Sequence, residues 1–525
     1  TNAYNTAVGH NAGLSVTTAN ENTLIGGLVG DALTTGSDNV AVGYQALTSA
    51  TTASNVVAIG RQAGFSNETG TNLVFVGQRA GYHNTASNNT GVGNSALQNT
   101  TTGGNNTALG ASAGLSIITG TANTLIGSLA GDALTGAEFN VAVGKEALTT
   151  DTLGSKSVAI GMGTLANQNQ TSATDVFNTA VGHIAGNAIT TGQYNTLIGG
   201  LAGDALTDAD FNVALGYHAL SSDTLGSRTT AVGQGALFSQ NFTSATDTYN
   251  TAVGYAAGVN VTTGQLNTLI GGLAGDAITT GSENIAIGYR ALSAEDTNGL
   301  NVAIGNDSLM TQNAGTNAYN TAVGYHTGKL ITTATNNTLI GGLAGDAITT
   351  SSYNVAVGHE ALTAATTGNL NVAIGASAMG SNTVGDRNIA IGYNALTTYN
   401  PASNEDSYNV AIGYAAGQSV TTGVQNTLIG GLAGDALTTG NYNVALGYAA
   451  LGAEDTRGRA TAIGYAALQS QNADADSYNV AVGFEAGGAV TTGTENTLIG
   501  ALAGDSITTG NVNTAIGHGS LGANT

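Results

Sequence analysis

A phrase of five residues recurs along the whole chain and limits what the chain can form. Its first copy is Asn5-Thr6-Ala7-Val8-Gly9, and 30 copies follow one another up to Gly517, most of them 17 residues apart. A βαβ unit needs roughly 30 residues, whereas 17 residues suffice for two short strands and two turns. The spacing therefore predicts a stack of β-solenoid coils, in which each coil is stabilised by its neighbours.

The chemistry of the phrase favours strands over helices. The residue before the final glycine is Val, Ile or Leu in every copy, Ala or Leu usually precedes it, and Asn opens 25 of the 30 copies. This apolar period of two is typical of strands, and the lack of charge on either side predicts a strand buried on both faces. We predict an all-β parallel β-solenoid or β-roll of about 30 coils, which at ~4.8 Å per coil gives a rod of roughly 145 Å.

Three columns of equivalent residues are predicted to form the ladder of this stack. Asn tolerates the left-handed backbone and can bond to its own copies along the axis, and Gly permits close approach of neighbouring coils. The Val/Ile column is the candidate interior of the coil, which leaves the Ala/Leu column (Ala7, Leu24, Ala41) in need of another apolar partner. The predicted ladder residues are Asn5, Asn22, Asn39, Val8, Ile25, Val42, Gly9, Gly26 and Gly43.

A longer period lies on top of the coil. The phrase Gly-Gly-Leu-Ala-Gly-Asp and its variants return about every 72 residues, or four coils, and insertions of two or four residues fall at the ends of these blocks. Insertions of this size belong in turns, where extra length costs little. We expect one continuous repeat region over residues 1–525, and a fragment of a longer fibre because the chain opens in mid-repeat at Thr1.

The composition excludes several classes of function. The formal net charge is −22, which repels nucleic acid phosphates and keeps a long repetitive object soluble. Cysteine is absent, so disulfides and thiolate metal sites are excluded. There is no apolar run of 18 residues, so we expect no membrane insertion.

The phrases Asn-Thr-Ala-Val-Gly and Asn-Val-Ala-Ile-Gly, followed by Ala two or three residues later, resemble the head repeats of trimeric autotransporter adhesins. They are also similar to repeat regions of phage tail fibres, and the resemblance runs from Asn5 to Gly517. In the adhesin heads it implies a left-handed parallel β-roll, three chains packed side by side, and binding to surfaces. The coil of 17 residues is longer than is usual in those heads, so the cross-section is expected to differ.

Two motifs suggest ligands that we consider unfavoured. Asp204, Asp276 and Asp346 end phrases close to the calcium-binding repeat of β-rolls, but they return only once in four coils, and calcium needs six or more oxygens. We therefore expect them to cap turns. The pairs Thr17-Thr18 and Thr34-Thr35 suggest an ice-binding array, yet the next pair, Thr51-Thr52, is taken to be out of register.

No catalytic or metal site is predicted, and no cofactor. The paired acids Glu295-Asp296, Glu405-Asp406 and Glu454-Asp455 are scattered and are assigned to the insertions, whereas a glycosidase needs carboxylates that converge. The histidines are expected in exposed turns because Tyr replaces them at the same place in other coils. They are His10, His83, His183, His218, His326, His359 and His518.

We expect a non-enzymatic structural protein, namely a long rigid extracellular fibre shaft that attaches a phage tail or a bacterial surface to a host. A homotrimer is the expected assembly, with a surface glycan or receptor as a further partner. Two alternatives remain: a shaft that itself binds glycans, and a monomeric solenoid that polymerises into a filament. The candidate surface contacts, through ring stacking, are Tyr255, Tyr325, Tyr414 and Tyr465.

Overall fold

The computed structural model describes residues 3–522, in which strands alternate with turns and bends and no helix occurs. Thr1, where the sequence predicts an opening in mid-repeat, lies outside the described residues. The chain divides into two compact units, Thr1–Thr263 and Gly264–Thr525. Each unit is a parallel β-solenoid.

In the first unit, fifteen strands carry the repeated phrase and four shorter ones lie between them. The bounds are β1 (Thr6–Val8), β2 (Thr23–Ile25), β3 (Val40–Val42), β4 (Val56–Ile59), β5 (Leu73–Val76), β6 (Thr90–Val92), β7 (Thr107–Leu109), β8 (Thr124–Ile126), β9 (Val141–Val143), β10 (Gly154–Ser155), β11 (Val158–Ile160), β12 (Thr174–Asp175), β13 (Thr179–Val181), β14 (Thr196–Ile198), β15 (Val213–Leu215), β16 (Gly226–Ser227), β17 (Thr230–Val232), β18 (Thr246–Asp247) and β19 (Thr251–Val253).

In the second unit, all fifteen strands within the described range carry the phrase. The bounds are β20 (Thr268–Ile270), β21 (Ile285–Ile287), β22 (Val302–Ile304), β23 (Thr321–Val323), β24 (Thr338–Ile340), β25 (Val355–Val357), β26 (Val372–Ile374), β27 (Ile389–Ile391), β28 (Val410–Ile412), β29 (Thr427–Ile429), β30 (Val444–Leu446), β31 (Thr461–Ile463), β32 (Val480–Val482), β33 (Thr497–Ile499) and β34 (Thr514–Ile516).

Within each unit, every phrase strand pairs in parallel with the next phrase strand and in the same register. Ala7 lies beside Leu24 and Leu24 beside Ala41 in the first unit, and Leu269 lies beside Ala286 in the second. Insertions do not shift this register, since Ala159 still pairs with Ala180 across a coil of 21 residues. The predicted stacking of equivalent phrases is confirmed.

The rest of the coil differs from the prediction, because a coil contains one three-residue strand rather than two strands. We number coil positions from the opening residue of the phrase, so that its glycine is position 5. Positions 7, 9 and 17 are left-handed even where the residue is not glycine, as in Leu28 (φ 55°), Leu47 (φ 52°) and Asp38 (φ 62°). Left-handed residues this frequent leave no extended segment for a second strand. The two largest insertions of the first unit add the pairs β10–β12 and β16–β18.

The interior of the coil is filled by the Ala/Leu column at position 3, and not by the Val/Ile column. Leu24 and Ala41 are fully buried, whereas Ile25 of position 4 is 39% exposed. The expectation that Val8, Ile25 and Val42 fill the interior is therefore wrong, as is the expectation of a strand buried on both faces. A coil of this size encloses only a narrow space, and the smaller side chains of position 3 fit it together with those of positions 9 and 12.

Side-chain size alternates inside the stack. A Cβ atom added to Gly13 would lie 2.9 Å from Leu24 Cδ1, and one added to Gly30 would lie 3.1 Å from Leu24 Cδ2. Leu125 and Phe75 press in the same way on glycines at position 9. Where position 3 is Ala, as in Ala41, position 9 of the same coil is a buried leucine, Leu47. Close packing therefore depends on large and small residues at complementary positions.

The glycine and asparagine columns confirm the predicted ladder. Gly9, Gly26 and Gly43 have φ values of 136°, 141° and 132°, and a Cβ on Gly26 would lie 2.6 Å from the carbonyl oxygen of Gly43. Asn39 Nδ2 donates to Asn22 Oδ1 at 2.9 Å and to the Ala53 carbonyl at 2.9 Å. Each asparagine therefore closes its own coil and joins it to the coil before it.

Candidate functional site

The most extended surface feature of each unit is the outward face of its phrase strands, which we define as positions 2 and 4. Position 2 is Thr, Val or Ile and position 4 is Val, Ile or Leu in every coil, so the face carries no charge. Ile126, Ile160 and Ile198 are 36 to 38% exposed. The structure brings Val8, Ile25 and Val42 together on this face. Exposed apolar surfaces of this extent mark interaction sites.

A second surface feature is a column of aromatic rings at position 6, which includes all four tyrosines predicted as surface contacts. Tyr414 stacks on Tyr393 with ring centroids 5.7 Å apart, and Tyr465 lies between Tyr448 (5.5 Å) and Phe484 (5.2 Å). The faces of these rings are therefore occupied by stacking within the protein.

The other two predicted tyrosines differ from this pair. Tyr325 stacks on His326 at 3.7 Å. Tyr255 is 61% exposed and borders a small cleft in the first unit. The exposure predicted for Tyr255, Tyr325, Tyr414 and Tyr465 is confirmed, but stacking leaves Tyr255 as the most open ring face among them.

A third feature is a ring ladder at position 17 of the first unit. Phe177, Tyr194 and Phe211 stack at 5.6 and 5.0 Å. Lys156 Nζ lies 5.1 Å from the Phe177 ring and Arg228 lies 4.8 Å from the Phe211 ring, so a cation covers each end. This cation–π arrangement is a self-contained stabilising element.

Buried carboxylates at position 12 were missed by the sequence argument. Asp151 is fully buried, and its Oδ2 accepts a hydrogen bond from Gln168 Nε2 at 2.6 Å while its Oδ1 accepts from the Gly154 and Gln170 amides. The Oε1 of Gln168 in turn accepts from Asn178 Nδ2 at 2.9 Å. The acid, the glutamine and the asparagine come from three successive coils, and we call this arrangement the acid–Gln–Asn cluster.

The cluster recurs in three further super-repeats. Its acids are Asp223, Glu295 and Glu454, all fully buried, and Glu454 Oε2 accepts from Gln471 Nε2 at 2.9 Å. Burial raises the pKa of Glu295 and of Glu454 above the usual value. The assignment of these two glutamates to insertions is therefore wrong, whereas Glu405 does lie in one. The missed signal was a glutamine 17 residues after each acid.

The aspartates of the Gly-Gly-Leu-Ala-Gly-Asp phrase accept hydroxyl groups of the next coil. Ser221 Oγ donates to Asp204 Oδ1 at 2.5 Å, and Thr149 Oγ1 donates to Asp132 Oδ1 at 2.5 Å. Burial raises the pKa of Asp132 and of Asp276. Among residues 3–522, no three carboxylate or imidazole groups lie close enough together to hold a metal ion.

The threonine pairs are in register, contrary to the expectation from sequence. The Thr17 amide bonds to the Thr34 carbonyl and the Thr34 amide to the Thr51 carbonyl, both at 3.0 Å. The Thr17 and Thr34 hydroxyl groups donate to the same two carbonyls at 3.0 Å. These hydroxyl protons are thus used to join coils, and this column is a backbone-bonded ladder.

The histidines lie mostly as predicted, since five of the seven are exposed and only His218 and His326 are half-buried. His326 Nε2 lies 3.2 Å from Asp307 Oδ2, and Arg290 binds both oxygens of the same carboxylate at 2.9 and 3.0 Å. Lys329 Nζ is 3.8 Å away. This cluster links successive coils at position 7 and is a structural ion pair.

Neither a scan against protein-family models nor a search of the curated proteins finds a match to the chain. The described residues also include no helix of the length and apolar character that crossing a bilayer requires.

Proposed function

We propose that the chain is a structural protein, the shaft of an extracellular fibre that attaches a phage tail or a bacterial surface to its target. The observation that carries the proposal is the uncharged outward face, which is repeated at every coil of both units. Stacked coils convert chain length into axial height at ~4.8 Å per coil, which is what a spacer needs. The role is mechanical, without catalysis or a cofactor.

Three copies associate side by side through their outward faces. A three-residue strand is ~10 Å long, so fifteen strands at ~4.8 Å present ~700 Å² in each unit. A stable interface buries ~800 Å² of each partner. The sequence argument assigned this contact to the Ala/Leu column, but that column is buried inside its own coil. The outward Val, Ile and Thr residues therefore provide the contact instead.

Sedimentation equilibrium tests the assembly. We expect a mass of three times the chain mass of 51.5 kDa. Replacing Ile126, Ile160 and Ile198 together by Lys places like charges in the contact, and we expect it to reduce the mass to that of one chain. The control is Thr243→Lys, at an exposed residue of an insertion, which leaves the trimer intact.

A wild-type mass of 51.5 kDa would contradict the trimer. That result would favour the alternative in which a monomeric solenoid polymerises end to end. Electron micrographs then decide the shaft itself, because a fibre shaft must be an elongated particle of constant width.

A further inference from the structure

Two glycines at position 7 occupy equivalent places in successive super-repeats, yet their surroundings differ. A Cβ on Gly163 would meet Asn187 Nδ2 at 3.5 Å and Ile184 Cγ1 at 3.8 Å. A Cβ on Gly235, 72 residues later, would meet no atom within 4 Å. The space above Gly163 is filled and the space above Gly235 is open.

The difference comes from two residues of the following coil. Asn187 Nδ2 donates to the Gly163 carbonyl at 2.8 Å, and Ile184 packs beside it. The residues equivalent to these two, Ala256 and Val259, are too small or too apolar to do the same. A cleft of about 210 Å³ remains, which we call the Gly235 slot.

The slot is also walled by aromatic residues that the first copy lacks. Tyr217, Phe238 and Tyr255 border it, where the first copy has Lys145, Ala166 and His183. Tyr217 is 53% exposed and Tyr255 is 61% exposed. An opening and an aromatic lining therefore occur together in only one of these two equivalent places.

The two tyrosines belong to the same position-6 column but lie two coils apart, with Gln234 between them. Adjacent tyrosines of this column are stacked at 5.5 to 5.7 Å. Tyr217 and Tyr255 are separated by two coils of ~4.8 Å each, so the column lacks one ring at this place. A ring-shaped ligand of about one coil in thickness fits between them.

Two polar groups make a sugar ring a better occupant than an aromatic one. The Gln234 side chain is exposed and makes no hydrogen bond within the part of the chain that the structure describes. His218 Nδ1 lies 3.2 Å from Ser221 Oγ, whose own proton goes to Asp204. Nδ1 therefore carries the imidazole proton, and Nε2 is left as an acceptor. An aromatic ligand would bury the Gln234 amide without a partner, at a cost in affinity.

We infer that the Gly235 slot binds a single pyranose ring of a glycan. The Tyr217 and Tyr255 rings contact the two faces of the sugar, the Gln234 amide binds its hydroxyl groups, and Phe238 covers an edge. The slot is smaller than the ~300–1,000 Å³ of a site for a drug-sized ligand, so it holds one ring and the remainder of the glycan extends into solvent.

Saturation-transfer difference NMR on the full chain tests the slot. The probes are the methyl glycosides of glucose, galactose, mannose and N-acetylglucosamine, with phenol as a planar aromatic probe. We expect transfer to the ring C–H protons of at least one glycoside, and none or less to phenol. Absence of transfer to all four glycosides, or transfer to phenol alone, would overturn the inference.

Matched variants locate the binding. Ala256→Ile with Val259→Asn recreates the filled first copy, and we expect the glycoside signal to fall by about tenfold, as it does for Tyr255→Ala, because a stacking contact is lost. Tyr414→Ala, in a stacked part of the same column, is the control and keeps the signal. Circular dichroism confirms folding. An unchanged signal in both slot variants would contradict the proposal, whatever sedimentation shows for the fibre shaft.

Discussion

Gly26 and Gly27 are neighbours in the chain but differ in the space that a side chain would find. Gly26 has φ 141° and faces the Gly43 carbonyl of the next coil, while an added Cβ on Gly27 would meet only the Tyr44 ring at 3.5 Å. The requirement for glycine at position 5 was predictable, because every copy of the phrase ends in glycine. The left-handed Leu28 and Leu47 were not, since leucine gives no signal for that conformation.

We expect Gly26→Ala to destabilise the first unit by about 2–4 kcal/mol, because the backbone is strained for alanine and its Cβ would clash with a carbonyl oxygen. Hydrogen exchange of the amides in β2 and β3 and the thermal midpoint measure the effect. Gly27→Ala is the matched control and should change stability by less than about 0.5 kcal/mol. Equal effects of the two substitutions would contradict the stacked-glycine column.

At the level of the coil, the sequence predicted the phrase strand, its register and the asparagine ladder, but it gave the wrong inward column. Both columns of the strand are apolar, and Ala at position 3 gives no sign of whether it faces the interior. The acid–Gln–Asn clusters were missed for another reason. Glu295 and Glu454 are followed directly by Asp, which suggested exposed acidic loops, although each glutamate is fully buried.

The buried glutamates should make stability depend on pH. Burial raises the pKa of Glu295 and of Glu454 in the folded chain above the value of 4.5, so the folded state binds protons more tightly than the unfolded state. The stability of the second unit should therefore rise as pH falls from 7 towards 4.5.

We test this with Glu295→Gln combined with Glu454→Gln. As pH falls from 7 to 5, the thermal midpoint of the wild type should rise relative to that of the variant. Glu283→Gln with Glu495→Gln removes the same charge from two exposed positions and serves as the control. An equal pH dependence of the two variants would show that the clusters do not couple protonation to folding.

For the whole molecule, the super-repeat is expected to be a unit that can be removed. Deleting residues 182–253 joins Val181 to Gly254 and restores the phrase Asn-Thr-Ala-Val-Gly. Each coil contacts only its neighbours, so we expect the shortened chain to keep its β-structure and thermal midpoint. Its first unit should lose four coils, or ~19 Å of stack.

Small-angle X-ray scattering and circular dichroism measure these outcomes. Deleting residues 182–244 removes a length that is not a whole number of coils, and this control should aggregate or lose β-structure. If both deletions behave alike, the coils are not stacked in a fixed register.

The alternation of Leu24 with Gly13 and Gly30 inside the stack also protects a repetitive chain from misfolding. Thirty similar phrases offer many wrong pairings, but a slip of one coil brings leucine against leucine where only glycine fits. A slip of four coils restores the match and merely loops out a block of about 72 residues, at little entropic cost. Errors of assembly are thereby confined to whole blocks, which are the same segments that recombination between repeats would gain or lose.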